Sequence, residues 1–368
     1  MDVAIRTDAS VEIGSGHVMR CLALATALRQ EGATVRFVCR EMPGDLCHLI
    51  ADSGFPLLRL APLGAQWDAQ ALPMASHHFQ ESDAQETRVS LERDGGRLDW
   101  LVVDHYGLDL KWERLMRPFA EKILAIDDLA SRPHDCDALL DQNLVENYRQ
   151  RYAGLVPPHC LMLLGPTYAL LREEFFAARR ALRPRNGQVR RALIFMGGSD
   201  PGNETCRVLG AFSRLDRPDI ALDVVVGQSN PHRETVRTTC DGLPNAVFHC
   251  QVDCMAALMT AADLAVGAGG STTWERCFLG LPALVTTIAD NQVETTAMAA
   301  RLGALWDLGR SSELTKQGLV NALQGALSAP KQLLEMSRRA LDLMGAGRGG
   351  SVASWLGPAM RGEHAQVG

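Results

Sequence analysis

Apolar and polar positions at the start of the chain predict a strand, a loop and a helix in that order. Residues 3–5 are apolar and polar residues follow them, which is typical of a short buried strand. Gly14 and Gly16 then predict a tight loop. From Val18 onward apolar residues recur at helical spacing, and Gly32 suits the C-terminal end of that helix.

The same alternation continues along the chain and predicts an α/β protein with mostly parallel strands. In the first half, further strands are predicted at residues 34–39, 100–104, 122–127 and 138–141. A new apolar run followed by glycines begins near residue 192, and further strands are predicted at residues 222–226, 246–249, 264–267 and 282–286. Since both halves begin with a strand, a glycine loop and a helix, we expect two Rossmann-like domains facing a cleft. Ligands of such sheets bind at the carboxyl ends of the strands.

The predicted domain boundaries follow from changes in composition. Residues 1–170 are expected to form the N-terminal domain and residues 191–345 the C-terminal domain. The basic segment 171–190 contains Pro184 and Gly187, which indicates a linker. Residues 346–368 are expected to be a C-terminal tail. The polar stretch 61–96 is interpreted as a connection of helix and loop.

Composition restricts the class of protein and its partners. The chain has 368 residues, of which 46% are hydrophobic and 22% charged, as expected for a globular protein of two domains. The net charge of -6 argues against a broad nucleic-acid surface, and no apolar run is long enough to predict a membrane span. Ten scattered cysteines without a C-x-x-C pair favour reduced thiols and a cytoplasmic location. Nothing in the sequence defines an oligomeric state.

His17 is the first candidate for chemistry, because it stands between the glycine loop and the helix. The start of a helix offers unpaired N–H groups and a positive dipole end, which suit an anionic or polar ligand. A histidine at that point can act as a general base. The alternative interpretation is a surface residue or a residue that helps to cap the helix.

Polar side chains cluster where three predicted strands of the first half end. They are Asp104, His105 and Tyr106 after one strand, Asp127 and Asp128 after the next, and Gln142 and Asn143 after a third. These groups are interpreted as converging on a sugar. A metal site made of Asp104, His105, Asp127 and His134 is conceivable, but no known ligand spacing is present. We therefore expect neither a metal nor a cofactor.

The second half contains two glycine loops that can hold a nucleotide diphosphate. In residues 267–277 the glycines allow close approach of a ligand, and Ser271 and Thr272 can cap the following helix. Glu275 can accept hydrogen bonds from a ribose diol, although Thr272 and Glu275 also have the spacing of a capping box. The other loop, residues 197–203, includes Gly198 and Ser199, and could be an ordinary turn. Asn291 could contact a sugar or phosphate, or belong to a turn.

Six segments, taken in order, closely resemble the PseG family, the UDP-2,4-diacetamido-2,4,6-trideoxy-β-L-altropyranose hydrolases of pseudaminic acid biosynthesis. The segments are IRTDASVEIGSGHVMRC, VVDHYGLD, IDDLASRPHDCDALLDQN, GPTYALLREEF, GGSDPGN and GAGGSTTWERCFLGLP. The resemblance implies a GT-B fold similar to that of the glycosyltransferase MurG. It also implies metal-independent hydrolysis of a UDP-sugar, which releases UDP and the free trideoxy sugar. Our hypothesis for the reaction is that water displaces UDP at C1, with the inversion expected for a single displacement.

The resemblance also implies roles for particular residues. His17 would be the catalytic base and Tyr106 a second active-site residue. By resemblance, Asn291 would lie near the diphosphate or sugar. With Gly14, Gly16, Asp104 and Asn143, chosen from the first glycine loop and the strand ends, it is an expected sugar-binding residue. By resemblance, Gly269, Gly270, Ser271 and Glu275 would form the UDP pocket. With Gly198, Ser199 and Thr272, chosen from the two glycine loops themselves, they are the expected UDP-binding residues.

Two other functions remain compatible with the same sequence. One is a MurG-like glycosyltransferase, which would move the sugar to an acceptor instead of to water. The other is a protein that binds a UDP-sugar without catalysis. The unbroken loop before His17 favours an enzyme over a binding protein.

Overall fold

Two parallel β-sheets form from the apolar runs of the sequence. The computed structural model describes residues 1–62, 76–95 and 97–345, together with Gly357 and Met360. The chain divides into two compact units. The first contains Met1–Asn143 and Asn147–Arg172 together with Gly357 and Met360, and the second contains Leu144–Glu146 and the described residues from 173 to 345. Apart from Gly357 and Met360, the predicted tail lies outside the described residues.

The first unit is built on a sheet of seven parallel strands in the order β3-β2-β1-β4-β5-β6-β7. Its strands are β1 (Asp2–Thr7), β2 (Thr34–Arg40), β3 (Leu57–Leu60), β4 (Leu98–Asp104), β5 (Ala120–Ile126), β6 (Ala138–Asp141) and β7 (Leu161–Leu164). Its helices are α1 (Gly16–Gln30), α2 (Cys47–Asp52), α3 (His77–Asp94) and α4 (Leu110–Met116). In the register of β1 and β4, Thr7 pairs with Asp104.

The centre of this sheet is covered on both faces. Val3, Ala4 and Ile5 of β1 have no exposed surface, although consecutive strand residues point to opposite faces. A strand buried in this way reads as a continuous apolar run, which is why β1 could be predicted from sequence. The polar groups at the carboxyl ends of β1, β4, β5 and β6 share one edge of the sheet, because these strands are parallel.

The second unit is built on six parallel strands in the order β10-β9-β8-β11-β12-β13. The strands are β8 (Arg191–Phe195), β9 (Ala221–Val226), β10 (Ala246–Cys250), β11 (Leu264–Ala268), β12 (Ala283–Thr287) and β13 (Trp306–Arg310). The helices are α5 (Glu173–Arg180), α6 (Glu204–Leu215), α7 (Arg233–Asp241), α8 (Met255–Ala261), α9 (Thr272–Phe278), α10 (Val293–Arg301), α11 (Lys316–Leu327) and α12 (Pro330–Leu343). Its core is aliphatic and includes Ile194, Val224 and Val266.

The strands predicted from sequence are confirmed with small differences at their ends, but three strands were not predicted. The three, β3, β7 and β13, all lie at an edge of their sheet. Two of them, β3 and β7, are mostly apolar but only four residues long, a length at which the pattern does not separate a strand from a turn of helix. In β13 the segment includes Asp307 and Gly309, both of which are uncommon in strands.

The segment predicted to be a linker contains a helix that was not expected, whereas the predicted connection of helix and loop contains one as expected. The predicted linker begins with α5, whose Phe175 and Phe176 are buried. The Phe176 ring lies 5.0 Å from that of Phe278, so this part of the segment is packed against the second unit. The predicted connection 61–96 contains α3, while residues 63–75 and 96 lie outside the described part.

None of the helices in the described ranges has the length and apolar composition that crossing a bilayer requires.

Candidate active site

His17 and Asp104 form a buried pair at the carboxyl edge of the first sheet. His17 is the second residue of α1, which follows β1, and Asp104 is the last residue of the neighbouring strand β4. His17 Nδ1 lies 2.5 Å from Asp104 Oδ1. The His17 side chain is 6% exposed and that of Asp104 is fully buried. The sheet topology therefore brings together two residues that are 87 positions apart in sequence.

The pair determines which nitrogen of His17 can accept a proton. An ionised carboxylate only accepts hydrogen bonds, so the neutral ring carries its proton on Nδ1 and donates it to Asp104. The lone pair of Nε2 is then the basic one. Tyr106 packs edge-on against the imidazole, with ring centroids 4.5 Å apart and planes at 82°. The structure thus brings three of the predicted site residues into contact.

Asp104 is held in its charged form. Burial on its own would raise the pKa of this carboxyl, but Arg20 and His17 outweigh that effect and hold the pKa well below its usual range. Arg20 donates from Nε to Asp104 Oδ2 at 2.6 Å and from Nη2 to Oδ1 at 2.6 Å. Such a bidentate guanidinium contact fixes the carboxylate plane as well as its charge.

The two glycines predicted to bind the sugar lie just before His17 in the sequence. Gly14 has a φ of 81°, which favours glycine, and its N–H donates to the Ser10 carbonyl. Gly16 is the first residue of α1, is exposed, and has open space where a side chain would be. Asn143 follows β6, two strands away from β4, and its N–H donates to Asp141 Oδ1 at 2.9 Å.

A second polar cluster lies at the ends of β5 and β6. The Tyr152 hydroxyl donates towards Asp127 Oδ2 at 3.0 Å and Asp141 Oδ2 at 3.1 Å. Burial, opposed by Arg151, raises the pKa of Asp141 to about 7. Burial alone would lower the pKa of His134, but the Asp127 and Glu113 carboxylates outweigh it and raise that pKa to about 9.

The four residues considered for a metal are engaged in other contacts. Asp104 pairs with His17, and Asp127 Oδ2 accepts from the Ala130 N–H at 2.8 Å. His105 Nδ1 accepts from the Gly107 N–H, and His134 Nδ1 lies 2.7 Å from Glu113 Oε1. Within the described ranges, no group of three or more potential ligands is arranged to hold a metal ion.

In the second unit, three loops with predicted site residues emerge from adjacent strands. Strands β8, β11 and β12 are neighbours and parallel, so their carboxyl ends lie side by side. Gly198 and Ser199 follow β8, Gly269 and Gly270 follow β11, and Asn291 lies in a short 3₁₀ turn after β12. The topology therefore places all three loops at one edge of the sheet.

Gly269 shows why the loop after β11 needs a glycine at this position. A methyl group on its Cα would lie 2.8 Å from Thr296 Oγ1 and 2.9 Å from Gln292 Cβ. Both contacts are closer than real Cβ atoms allow. The Gly269 N–H also donates to the Thr286 carbonyl at 3.1 Å. The loop is thus packed directly against the segment that follows β12.

The helix cap predicted at Ser271 and Thr272 differs from the structure. Ser271 is the N-cap residue of α9, but its backbone is already helical (φ -56°, ψ -34°) and its side chain makes no capping hydrogen bond. A capping serine normally has an extended backbone, which directs its oxygen at the free N–H groups. Thr272 is the first helical residue, so Thr272 and Glu275 do not form the capping box that their spacing allowed. Glu275 lies half-buried on the first turn.

Arg276 is a structural residue of this loop that sequence reasoning missed. Its side chain is buried, and Nη2 donates to the Ala268 carbonyl at 2.8 Å and to Thr273 Oγ1 at 3.1 Å. Burial lowers the pKa of Arg276 to about 10. By binding the carbonyl of Ala268, the last residue of β11, the guanidinium fixes the backbone immediately before Gly269 and Gly270.

Arg20 was also missed as a site residue, and Asp128 was noted only for its place at a strand end. Arg20 lies three residues after His17, so both point to the same face of α1. That spacing was the available signal. Arg20 Nη1 donates to Asp128 Oδ2 at 2.9 Å, across 108 positions of sequence.

The chain is similar in sequence to three proteins over most of its length. It is 26% identical over 291 residues to the uncharacterized protein MJ1062 of Methanocaldococcus jannaschii. It is 26% identical over 332 residues to the spore coat polysaccharide biosynthesis protein SpsG of Bacillus subtilis. It is 27% identical over 304 residues to the UDP-2,4-diacetamido-2,4,6-trideoxy-beta-L-altropyranose hydrolase of Campylobacter jejuni. These matches cover 77%, 89% and 82% of this chain. The chain spans 55% of the archaeal protein, but 90% and 97% of the other two. No protein-family model matches.

Solved structures of glycosyltransferases share the fold. MurG of Acinetobacter baumannii superposes with a TM-score of 0.60 at 17% identity, covering 93% of this chain and 94% of MurG. The spinosyn rhamnosyltransferase SpnG, in complex with thymidine diphosphate, superposes with a TM-score of 0.66 at 16% identity, covering 97% and 99%. The predicted fold class is thereby confirmed. This chain has the GT-B fold and resembles, over 82% of its length, the C. jejuni hydrolase of a UDP-linked diacetamido sugar.

Proposed function

We propose that this chain is a UDP-sugar hydrolase that cleaves a UDP-linked 2,4-diacetamido-2,4,6-trideoxyhexose at C1. The products would be UDP and the free sugar, for use in pseudaminic acid biosynthesis. The observation that carries the proposal is the imidazole of His17, oriented by Asp104 at 2.5 Å on the first turn of α1. The similarity to the C. jejuni hydrolase supplies the substrate class.

The reaction follows from the basic nitrogen of this pair. Nε2 of His17 takes a proton from water while the water oxygen bonds to C1 of the sugar. The bond from C1 to the diphosphate oxygen breaks, and its electron pair leaves with UDP. Asp104 stabilises the imidazolium that forms, as the carboxylate of a hydrolytic triad does. A single displacement of this kind inverts the configuration at C1.

The second unit is proposed to bind the leaving group. Backbone N–H groups in the glycine loops after β8 and β11 would stabilise the charge that develops on the diphosphate. Gly198, Ser199, Gly269 to Thr272 and Glu275 are the proposed UDP-binding residues. Gly14, Gly16, Asn143 and Asn291 are proposed to contact the sugar or diphosphate. As the resemblance implies, no metal takes part.

The test is turnover of the UDP-linked diacetamido-trideoxyaltrose in ¹⁸O-water with a chelator present. We expect label in the free sugar and none in UDP, because water attacks carbon. Label in UDP would place the attack at phosphorus and contradict the mechanism. His17→Ala is expected to lower kcat about 10²–10⁴-fold, the usual contribution of a general base, while UDP affinity is retained.

A glycosyltransferase is the second candidate, because the GT-B fold is shared with MurG and SpnG. A transferase would leave the substrate intact in water and consume it only with an acceptor. If the wild-type chain releases no free sugar but transfers it to an added acceptor, the hydrolase proposal is wrong.

A further inference from the structure

Arg20 connects two carboxylates next to the proposed base. Its side chain is 6% exposed, and besides its two bonds to Asp104 it donates from Nη1 to Asp128 Oδ2 at 2.9 Å. Arg20 Nη2 also lies 3.1 Å from His17 Nδ1. Arg20 Nη2 and His17 Nδ1 both contact the same oxygen, Asp104 Oδ1.

We propose that Arg20 is a positioning residue for His17, and that Asp128 anchors it in this role. Arg20 does not reach the reacting atoms in this scheme. It fixes the plane of Asp104, so that Oδ1 stays in line with Nδ1 and the basic lone pair stays on Nε2. It also supplies a positive charge that opposes the imidazolium. This inference rests on the proposed function for its kinetic consequences, but not for its effect on the ring.

The geometry supports this role better than a purely structural one. One carboxylate would balance the single positive charge of Arg20, yet two carboxylates contact it. Asp128 lies after β5, the strand next to β4, so the two carboxylates hold the guanidinium from adjacent strand ends. Rotation of the guanidinium away from Asp104 would break three hydrogen bonds.

Several groups set the charge balance around the imidazole. On α1 and β4 the immediate neighbours are Arg20 and Asp104, and Tyr106 contributes its ring. Others act through these three. They are Asp128 through Arg20, Cys21 with its Sγ 3.4 Å from Asp104 Oδ2, and Arg132 6.0 Å from the centre of the Tyr106 ring.

The two partners of this arrangement have opposite expected effects. Arg20→Met removes a positive charge and leaves Asp104 and Asp128 unopposed, so the imidazolium form of His17 becomes more favourable. The acid limb of the pH profile of kcat, where kcat falls as the base becomes protonated, should then move to higher pH. Charge interactions at such distances correspond to a shift of about one pH unit or more. Asp128→Asn removes a negative charge and should move that limb to lower pH. A merely structural residue would lower kcat at every pH without moving the limb.

Loss of position should appear in kcat more than in KM. A misplaced base costs up to about 10²-fold in rate, so we expect Arg20→Met to lower kcat roughly 10–100-fold with KM changed less than about threefold. Arg20→Lys retains the charge but not the bidentate geometry, and should recover the pH profile better than kcat. Arg29→Met is the matched control, since Arg29 lies on the same helix and donates to the Ser53 and Gly54 carbonyls. It should leave kcat and its pH profile unchanged.

A measurement on the ring itself separates this inference from the proposed function. ¹⁵N NMR of the imidazole, assigned by the signals missing in His17→Asn, reports tautomer and charge without any substrate. The neutral wild-type ring should carry its proton on Nδ1, and at pH 7 Arg20→Met should contain a larger fraction of imidazolium. Inactive wild-type protein with this NMR difference would refute the hydrolase and support the role of Arg20. An unchanged ring in folded Arg20→Met would overturn the inference. If Arg20→Met does not fold, the same two measurements on Asp128→Asn test the inference. Unchanged imidazole signals together with an unchanged acid limb of the pH profile of kcat would then overturn it.

Discussion

Replacing Asp104 by asparagine should turn the imidazole of His17 into a ring that cannot act as a base. The asparagine amide has one acceptor oxygen, where the carboxylate has two. If that oxygen takes the place of Asp104 Oδ2 and accepts from Arg20 Nε, the NH₂ group takes the place of Oδ1 and faces His17 Nδ1. A donor in this position favours the tautomer with the proton on Nε2, the nitrogen that must accept a proton from water. The side chain keeps its size, but the group that faces His17 Nδ1 changes from a hydrogen-bond acceptor to a donor.

The expected magnitude has a catalytic part and a stability part. Loss of general-base catalysis corresponds to about 10²–10⁴-fold in kcat. Removing one partner of a buried ion pair costs about 3–5 kcal/mol, and the lower end applies because Arg20 retains Asp128. For a unit of this size, about 3 kcal/mol corresponds to a decrease in Tm of roughly 6–12 °C.

The assay is steady-state hydrolysis at a temperature well below the Tm of the variant, with Tm measured by calorimetry. Asp99→Asn is the matched control, because it makes the same change on the same strand at a side chain that is 53% exposed. It should leave kcat unchanged. If Asp104→Asn kept kcat within tenfold of the wild type while its Tm fell, Asp104 would be a structural residue and the reasoning about the tautomer would be refuted.

Three further predictions follow from the geometry. Gly16→Ala places a methyl group in open space, so Tm should be unchanged while KM for the UDP-sugar rises; an unchanged KM would remove Gly16 from the binding site. Gly269→Ala forces the loop away from Thr296 and Gln292, and calorimetric titration should show at least tenfold weaker UDP binding, whereas wild-type affinity would contradict the proposed pocket. His134 has its pKa raised to about 9, so its stabilising contribution is complete below about pH 6.5 and is lost as the pH rises through 9. Denaturant unfolding should show the first unit losing up to ~3 kcal/mol over this range, and His134→Gln should flatten that slope; a slope that persists in the variant would refute this assignment.

Much of the fold could be predicted because central strands of parallel sheets carry a local signal. Each of the strands β1, β4 and β11 is an apolar run, since both its faces are buried. The edge strands β3 and β7 are mostly apolar but only four residues long, and so short a run does not distinguish a strand from a turn of helix. The third, β13, has no continuous apolar run. The helix α5 was missed for a similar reason. This helix is short, and it is stabilised by the burial of Phe175 and Phe176. That burial comes from tertiary packing, which the local sequence does not show.

The sequence indicated which residues belong to the candidate site, but not which of them contact one another. His17 stood out because of the glycine loop, and Asp104 because of its strand end. That they touch depends on the order of strands in the sheet, which no local pattern encodes. Arg20 was overlooked because an arginine on a helix is usually solvent-exposed. Its burial becomes evident only once Asp104 and Asp128 are known to lie on either side of it.

If the loop after β11 binds UDP as proposed, its packing limits how that binding preference can evolve. A side chain at Gly267 would meet Arg276 Nη1 at 2.5 Å and the Phe195 carbonyl at 2.6 Å, and one at Gly269 would meet Thr296 and Gln292. Single substitutions at these two glycines therefore damage the backbone before they can alter selectivity. Variation in the ligand that this loop accepts should instead arise at exposed neighbours such as Ser271 and Asn291. Libraries designed to change nucleotide preference should keep the glycines fixed and sample those exposed positions.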